Sequence, residues 1–404
     1  MIEKFYLLPK LCSSSSNMKS IDRTLLIALV CATLLKIYLA LAPAGSLDTA
    51  GFLDHLQKIR ALGVGAYRVR GAFNNPFNSP PAMIHVIRLW GWLADNIGIP
   101  FRFWLRLPSV LADVGTVLLV SRWLTKLSPA RTHRGVLMCL ILCPTAILIS
   151  GYHGNTDSVM IFLVLLSLYL VESTWIAGLV FGLALCVKIV PLAFAPAILL
   201  YLPSWRKRFI FFGMAVLIFV ICSLPYLVQD PGPILSTVFG YSSIYGKWGW
   251  TFLAVMVSPN PTYLHGIFDV QGSHAMFAMV LKIVTMLSIV GISVWLNRRK
   301  SKPNIFIQVG LITAILLFMT PGFGPQYLIW LVPFVAALSL RTIFWYYLTS
   351  SLVVIGEYTC DAFDTCLPLV VRPLIGFVCW LSLVAIILAY RRELQRSLRR
   401  TEPI

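Results

Sequence analysis

Apolar runs long enough to cross a bilayer recur from one end of this chain to the other. Residues 24–42 read "TLLIALVCATLLKIYLALA" and residues 209–227 read "FIFFGMAVLIFVICSLPYL". A helix of about 20 such residues spans the ~30 Å hydrocarbon core. Inside that core every backbone N–H and C=O must find its partner within the protein, which repeated single runs achieve as helices. The composition agrees. Of 404 residues, 58% are hydrophobic and 12% charged, whereas a soluble domain carries about 25% charged residues. The chain reads as an all-α polytopic membrane protein. The formal net charge of +18 raises nucleic acid as a partner, but its placement argues against that. Lys and Arg gather in short segments between apolar runs, as the positive-inside rule expects. No internal repeat of fixed period is visible.

The basic clusters set the topology. The N-terminal tail, 1–23, carries Lys4, Lys10, Lys19 and Arg23 and a disordered-looking Ser13–Ser16 run. The first span covers 24–43. It resembles a signal peptide in its basic start and its "APA" end, but its length reads better as an uncleaved anchor. Either way, residue 45 emerges on the extracytoplasmic side. The first outer loop, 45–106, holds "SLDTAGFLDHLQKIRALG" and "PPAMIHVIRLWGWLADNIG". Both read as helices lying on the membrane surface. Spans then follow at 107–125, 135–151 and 158–172. The segment 174–203 is too long for one comfortable span and too short for two. It reads as two short or broken helices around Lys188 and Pro191. Further spans cover 209–227, 275–296, 305–320, 326–339, 342–356 and 373–390, with a large outer loop at 228–274 and a basic tail at 391–404. This makes about twelve spans, with both ends and the strong basic clusters inside. Cys360 and Cys366 share an outer loop, where a disulfide stays open.

The same map sorts the polar residues. Asp48, Asp54, His55, Arg68, Arg70, His153, Asn155, Asp157, Lys247, Gln326 and Glu357 fall at or beyond the outer interface. Ionisable groups beside lipid are costly and usually functional. Asp48 follows the first span directly. His153, Asn155 and Asp157 share the turn "GYHGNTDS" between two apolar runs, and Lys188 lies within the broken pair. Carboxylates and cations on one outward face suit a reaction on a lipid-linked anionic substrate. Cations would hold a phosphate, and one carboxylate would take the proton from an attacking hydroxyl. Phosphate leaves without a general acid, so the paired carboxylates of glycosidases are not needed. Direct attack would invert the anomeric centre.

Structural readings stand beside these. Asp48 could be the N-cap of the surface helix, and Asp157 that of the fourth span. His153 could be an interfacial histidine. Lys188 could snorkel to an interface. Arg106 reads as the ion-pair partner of Asp113, seven residues on. "GKWGW" could belong to an aromatic belt, and Arg68 and Arg70 could meet anionic headgroups. The Cys residues do not space as zinc ligands, and no metal motif is apparent.

Seven stretches in order carry a resemblance: "SLDTAGFLDHL", "NPFNSPPAMIHVI", "RLPSVLADVGTVLLV", "GYHGNTDS", "GLALCVKIVPLAFAPAILLYL", "YSSIYGKWGW" and "TPGFGPQYLIWLVPF". Together they resemble the GT-C superfamily of integral-membrane glycosyltransferases that use polyprenyl-phosphate sugars. The likeness covers 22–390. Its last motif is similar to the bacterial polyprenol-phosphate-mannose-dependent branch. The layout of the second to sixth spans is also similar to the dolichyl-phosphate-glucose-dependent enzymes of the endoplasmic reticulum. The resemblance implies a GT-C transmembrane domain over 24–390. It also implies an inverting hexosyltransferase, with mannose favoured, acting at the extracytoplasmic face.

Carried over residue by residue, the resemblance makes Asp48 the catalytic base, with Asp54 as rival. Asp157 would be a second catalytic group, with His153 and Asn155 beside it binding substrate. Lys188 and Gln326 would lie near the donor phosphate, although relatives carry a His near the Gln326 position. Tyr245, Lys247 and Trp248 would contact sugar or phosphate from the large outer loop. The expected partners are a polyprenyl-phosphate donor, a glycan or glycolipid acceptor and the bilayer. No nucleic acid is expected, and the chain reads as a monomer. No cofactor is expected, since the lipid-linked sugar is a substrate, and the sequence leaves a divalent metal open. A bacterial cytoplasmic membrane is favoured over the endoplasmic reticulum. The competing reading is a transporter or flippase of a lipid-linked substrate. It fits less well, because only one broken helix pair is visible and the polar residues gather at one face.

Overall fold

The computed structural model describes residues 22–42, 45–69, 77–127, 133–240, 243–257, 272–299, 302–363 and 371–399. Ser13–Ser16 and Arg70 lie outside these residues. Cys366 does too, and with it the Cys360–Cys366 pairing. Among the described residues the chain is helical, and its only strand-like feature is an isolated antiparallel bridge between Ile244 and Phe323.

Six helices are long and apolar enough to cross a membrane: Arg23–Leu41, Phe101–Leu127, Arg134–His153, Trp205–Leu227, Gly272–Asn297 and Val371–Arg396. Five further apolar helical segments are shorter, at 10–17 residues. The chain is therefore a multi-span helical protein that combines long apolar helices with shorter ones. The first helix, α1 (Arg23–Leu41), starts where Asp22 accepts a hydrogen bond from the Thr24 N–H at 3.1 Å. The two stretches expected as helices in the first loop are helices: α2 (Leu47–Leu62) and α3 (Ala82–Ile97). Pro80 and Pro81 precede α3, where an absent N–H costs nothing. A long helix, α4 (Phe101–Leu127), follows.

The expected span at 135–151 is interrupted. It consists of α5 (Arg134–Ile141), α6 (Pro144–Leu148) and a π-helical turn over Ile149–His153. Pro144 opens a new helix because it cannot continue the old one. The chain resumes in α7 (Asp157–Tyr169) and α8 (Thr174–Val187). The break expected at Lys188 and Pro191 is present. Lys188 is extended, with φ −150° and ψ 151°, a 3-10 turn covers Val190–Phe194, and α9 (Ala195–Tyr201) completes the pair. Then comes α10 (Trp205–Leu227). It packs tightly on α8, since a Cβ on Gly178 or Gly182 would stand 2.4 Å or 2.6 Å from a carbonyl of α10. Small residues four apart let two backbones approach this closely.

The region expected as a loop at 228–274 contains α11 (Pro231–Gly240) and α12 (Gly249–Met256). After it come α13 (Gly272–Asn297) and α14 (Ile305–Met319). The span expected at 326–339 is instead two 3-10 turns, Pro325–Trp330 and Phe334–Ala337, and is almost wholly buried. Pro325 and Pro333 divide it into pieces too short for a regular α-helix. The chain closes with α15 (Leu340–Phe363) and α16 (Val371–Arg399).

Two apolar clusters hold these elements. The larger joins the long helices. The smaller joins α2, α3 and the start of α4 to the end of α10 and to α11, through Phe52, Leu56, Phe77, Ile87, Tyr226 and Val238. A part-buried ion pair reinforces the second cluster, with exposed Arg68 donating to buried Asp230 at 2.8 and 2.9 Å. The first loop and the 228–240 segment thus form one packed unit, and a cavity lies beneath it.

The polar groups buried between spans correct one expectation. Arg106 does not pair with Asp113. It is fully buried and donates to the carbonyls of Leu39, Ala40 and Ala42, at 3.2–3.3 Å, around the end of α1, where the Leu39 carbonyl also accepts from the Ala42 N–H at 3.2 Å. Asp113 pairs instead with Lys36, also buried in α1. Seven residues along a helix put Arg106 and Asp113 on one face, but α1 meets that face first with a cation for one and carbonyls for the other.

Candidate active site

The turn "GYHGNTDS" is built against the N-terminus of α2. Ser46, the N-cap of α2, accepts from the Asp48 N–H at 3.3 Å and donates through its hydroxyl to the His153 carbonyl at 2.5 Å. Thr49 Oγ1 donates to the same carbonyl at 3.1 Å. Ser109 of α4 donates to the Asn155 carbonyl at 2.6 Å. Gly154 has φ +76°, a left-handed conformation suited to glycine. A Cβ there would also stand 2.4 Å from Thr49 Oγ1. The π-helical turn before it re-aims the chain, so that His153 and Asn155 face α2 and Asp157 opens α7. Interrupted helical turns of this kind occur often at functional sites.

Asp48 is therefore not the cap of its helix, since Ser46 fills that role. Its carboxylate accepts from the Asn155 side-chain amide and lies 3.1 Å from His153 Nε2. That approach is off the ring N–H axis, so both His153 nitrogens lack a hydrogen-bond partner among the described residues. The imidazole instead stacks on Tyr358, with ring centroids 5.2 Å apart and 16° between planes. Enclosure by protein would by itself push the Asp48 pKa up. The neighbouring His153 outweighs it, with help from the Lys188 charge and the Asn155 amide, and the net effect holds the carboxyl below its ordinary value. Position near the start of α2 favours the anion as well. Enclosed as it is, the side chain keeps 31% of its surface open, because it lines the cavity.

Asp157 is placed differently. It is fully buried and both its oxygens are engaged. Lys188 donates to Oδ2 at 2.6 Å, and Trp330 Nε1 donates to Oδ1 at 2.6 Å. Asp157 thus reaches no open space and anchors Lys188, whose ammonium also lies 6.0 Å from the Tyr327 ring centre. The extended backbone at Lys188 carries the side chain off the helix end and back to Asp157. Broken helices therefore serve the site here.

The cavity holds about 380 Å³, within the ~300–1,000 Å³ of small-ligand pockets. Asp48, Asn155, Lys188 and Gln326 all line it, although they come from four separate stretches of sequence. His55, Tyr327 and Trp330 line it too. His55 is buried and its Nδ1 has no hydrogen-bond partner among the described residues. Burial pushes its pKa down to about 4 despite Asp54 nearby, so the ring is neutral at neutral pH. The rest of the wall is mostly apolar, with Ile189, Leu192, Phe239 and Met286 among its members.

Other residues expected at the site lie elsewhere. Asp54 is turned to Lys58, 2.7 Å away, and is not part of the cavity wall. Tyr245 meets His274 Nδ1 at 2.9 Å, and Lys247 lies 3.8 Å from Glu357. Trp248 is buried, stacks on Phe323 at 4.0 Å and donates to the Leu317 carbonyl at 2.8 Å. None of these three lines the cavity. Arg68 is occupied by Asp230. Sequence reasoning passed over Trp330 and Tyr327, which read as span residues, and Lys282 of α13, which also lines the cavity. A lone lysine in an apolar run was the available signal for Lys282. No group of three or more His, Cys, Asp or Glu arranged for a metal occurs among the described residues.

Comparison with known proteins gives two findings. The family model described as "Glycosyltransferase family 87" matches residues 77–321. GPI mannosyltransferase 1 of Candida albicans is 25% identical over 196 residues, covering 47% of each chain. The chain thus spans less than half the length of that curated relative.

Proposed function

The chain belongs to glycosyltransferase family 87, and from that membership we propose an inverting hexosyltransferase that works on a polyprenyl-phosphate sugar. The observation that carries the reading is the open, ionised Asp48 carboxylate, held by Asn155 and His153 at the polar end of a largely apolar cavity. A lipid-linked donor needs both ends of such a cavity. Its sugar and phosphate would sit among Asp48, Asn155, Lys188 and Gln326. Its first isoprene units would follow the apolar wall. Tyr327 and Trp330 offer flat faces for a sugar ring.

In the proposed step the acceptor oxygen attacks the anomeric carbon from the face opposite the phosphate. The bond from that carbon to the phosphate oxygen breaks, and its electron pair leaves with the phosphate. The acceptor's proton passes to Asp48. A carboxylate held in its anionic form by neighbouring donors is ready as a base over a wide pH range. Asp157 acts through Lys188, fixing the ammonium where it meets the developing phosphate charge. Mannose is favoured as the sugar, in keeping with what the Candida albicans relative is named for, and a glycan or glycolipid as the acceptor. About twelve spans, α2 and α3 on the membrane surface, and a cavity open to the extracytoplasmic side of a bacterial membrane complete the proposal.

The test is donor choice by the purified full-length protein in lipid. Labelled polyprenyl-phosphate mannose should be consumed with release of polyprenyl phosphate, and a nucleotide-linked mannose should not. Turnover of the nucleotide sugar alone would overturn the reading.

A further inference from the structure

Within the proposed function, and resting on it, the cavity presents an unsolved charge problem. A sugar phosphodiester brings one negative charge, and a second develops as the phosphate leaves. The charged groups that line the cavity among the described residues are Asp48, Lys188 and Lys282, with His55 neutral at neutral pH. Lys188 already faces Asp157 at 2.6 Å, so that pair offers little net charge. Asp48 is itself negative. Without another cation the cavity would repel the donor it is proposed to hold.

Lys282 is placed to answer this. It lies in the first half of α13, a 26-residue helix apolar enough to cross a bilayer. With Thr285 and Met286, at i+3 and i+4, it forms the face of α13 that lines the cavity. Its ammonium donates to the Phe239 carbonyl of α11 at 3.2 Å, and no carboxylate pairs with it among the described residues. A lysine in an apolar helix with only a carbonyl for company is costly. Snorkelling alone would send it to the nearest water rather than onto a cavity wall shared with Asp48. Ser243 lines the same cavity and adds a hydroxyl there.

We infer that Lys282 supplies the net positive charge that binds the donor's phosphate, with Lys188, held and neutralised by Asp157, meeting the same phosphate from the opposite side. On this view the phosphate lies between α13 and the broken helix at Lys188. The lipid leaves along the Ile189–Leu192 and Met286 wall, and the sugar points to Asp48. Charge-assisted hydrogen bonds contribute about 1.5–3 kcal/mol each, so losing this one should weaken binding by roughly ten- to a hundredfold.

The experiment uses the full-length protein in nanodiscs of zwitterionic lipid. It compares direct binding of a short polyprenyl phosphate with that of the matching neutral polyprenol. Wild type should prefer the phosphate. Lys282→Met should bind the polyprenol as before and lose roughly tenfold or more for the phosphate. Lys282→Arg should retain the preference, which guards against a variant that merely folds poorly. If wild type prefers the phosphate and Lys282→Met keeps that preference, the inference is overturned and the proposed donor stands. If wild type does not discriminate between the two lipids, the proposed donor is overturned and the inference goes with it.

Discussion

The side-chain amide of Asn155 donates to the carboxylate of Asp48 across 107 positions of sequence. The other end of that amide accepts from the Thr156 N–H at 2.6 Å. Asn155 therefore ties the base to the start of α7 through one rigid group. Replacing it by Leu should cut turnover by roughly ten- to a hundredfold, the worth of a hydrogen bond to a charged group. Asn155→Asp should do worse, because a second carboxylate against Asp48 is repelled. Steady-state rates, with a thermal melt to check folding, test both. Equal activity in the two variants would mean the amide is not holding the base.

His153 should govern the acid side of the pH profile. The Asp48 pKa is depressed in the folded protein, so its anion persists below the ordinary carboxylate pKa of about 3.9. Its contribution to stability is likewise present above that value and fades as pH falls through the folded-state pKa. In His153→Gln the enclosure of Asp48 would dominate and raise its pKa. The acid limb of the rate profile should then begin at higher pH, while the acid-side loss of stability that Asp48 contributes should disappear, because a carboxyl whose folded-state pKa is raised gains stability on protonation. An acid limb unmoved by His153→Gln would contradict the electrostatic account.

Lys188 and Asp157 should behave as one unit. Lys188→Met leaves Asp157, fully buried, with only Trp330 as a partner, which should cost about 3–5 kcal/mol. Adding Asp157→Asn removes the stranded charge and keeps an acceptor for Trp330, so the double variant should regain most of that loss. A double-mutant cycle by denaturation in detergent measures it. Additive losses would show that the two side chains do not depend on each other.

Gly154 should tolerate nothing larger. Its left-handed backbone and the 2.4 Å approach to Thr49 mean that Gly154→Ala must shift the turn carrying His153 and Asn155. A loss of about 1–3 kcal/mol, with a lower rate at unchanged donor binding, is expected. Wild-type turnover in this variant would detach the turn from the chemistry.

Asp54 supplies the contrast. Its partner is Lys58, one turn away on the same helix, and such pairs are worth about 0.3–0.5 kcal/mol. Asp54→Asn should leave turnover within a few-fold of wild type. A loss as deep as that of an Asp48 variant would return Asp54 to contention as the base.

Much of this molecule was legible in its sequence because lipid simplifies the code. Span length and basic clusters marked the long helices. The mismatch between 174–203 and any whole number of spans locates the break at Lys188. Asp48, Asn155, Lys188 and Gln326 stand out in four separate stretches, and the fold gathers all four around one cavity. Pairing was harder to read. A helical face placed Arg106 with Asp113, but nothing in either residue's neighbourhood announced that the carbonyl end of α1 and Lys36 would arrive first. The aromatic cluster at Tyr245 and Trp248 read as a ligand surface, yet Trp248 is spent on Phe323 and the Leu317 carbonyl. Trp330 was hidden for the opposite reason, since an indole in an apolar run gives no sign that its N–H will meet a buried carboxylate.

The central claim is that Asp48 takes the acceptor's proton during transfer from a lipid-linked phosphate. The most direct measurement is the rate of polyprenyl phosphate release from labelled polyprenyl-phosphate mannose by wild type and by Asp48→Asn, in lipid and with an acceptor present. The account predicts a fall of about 10²–10⁴ in rate, with donor binding and the thermal melt retained. Near-normal release by Asp48→Asn would contradict it.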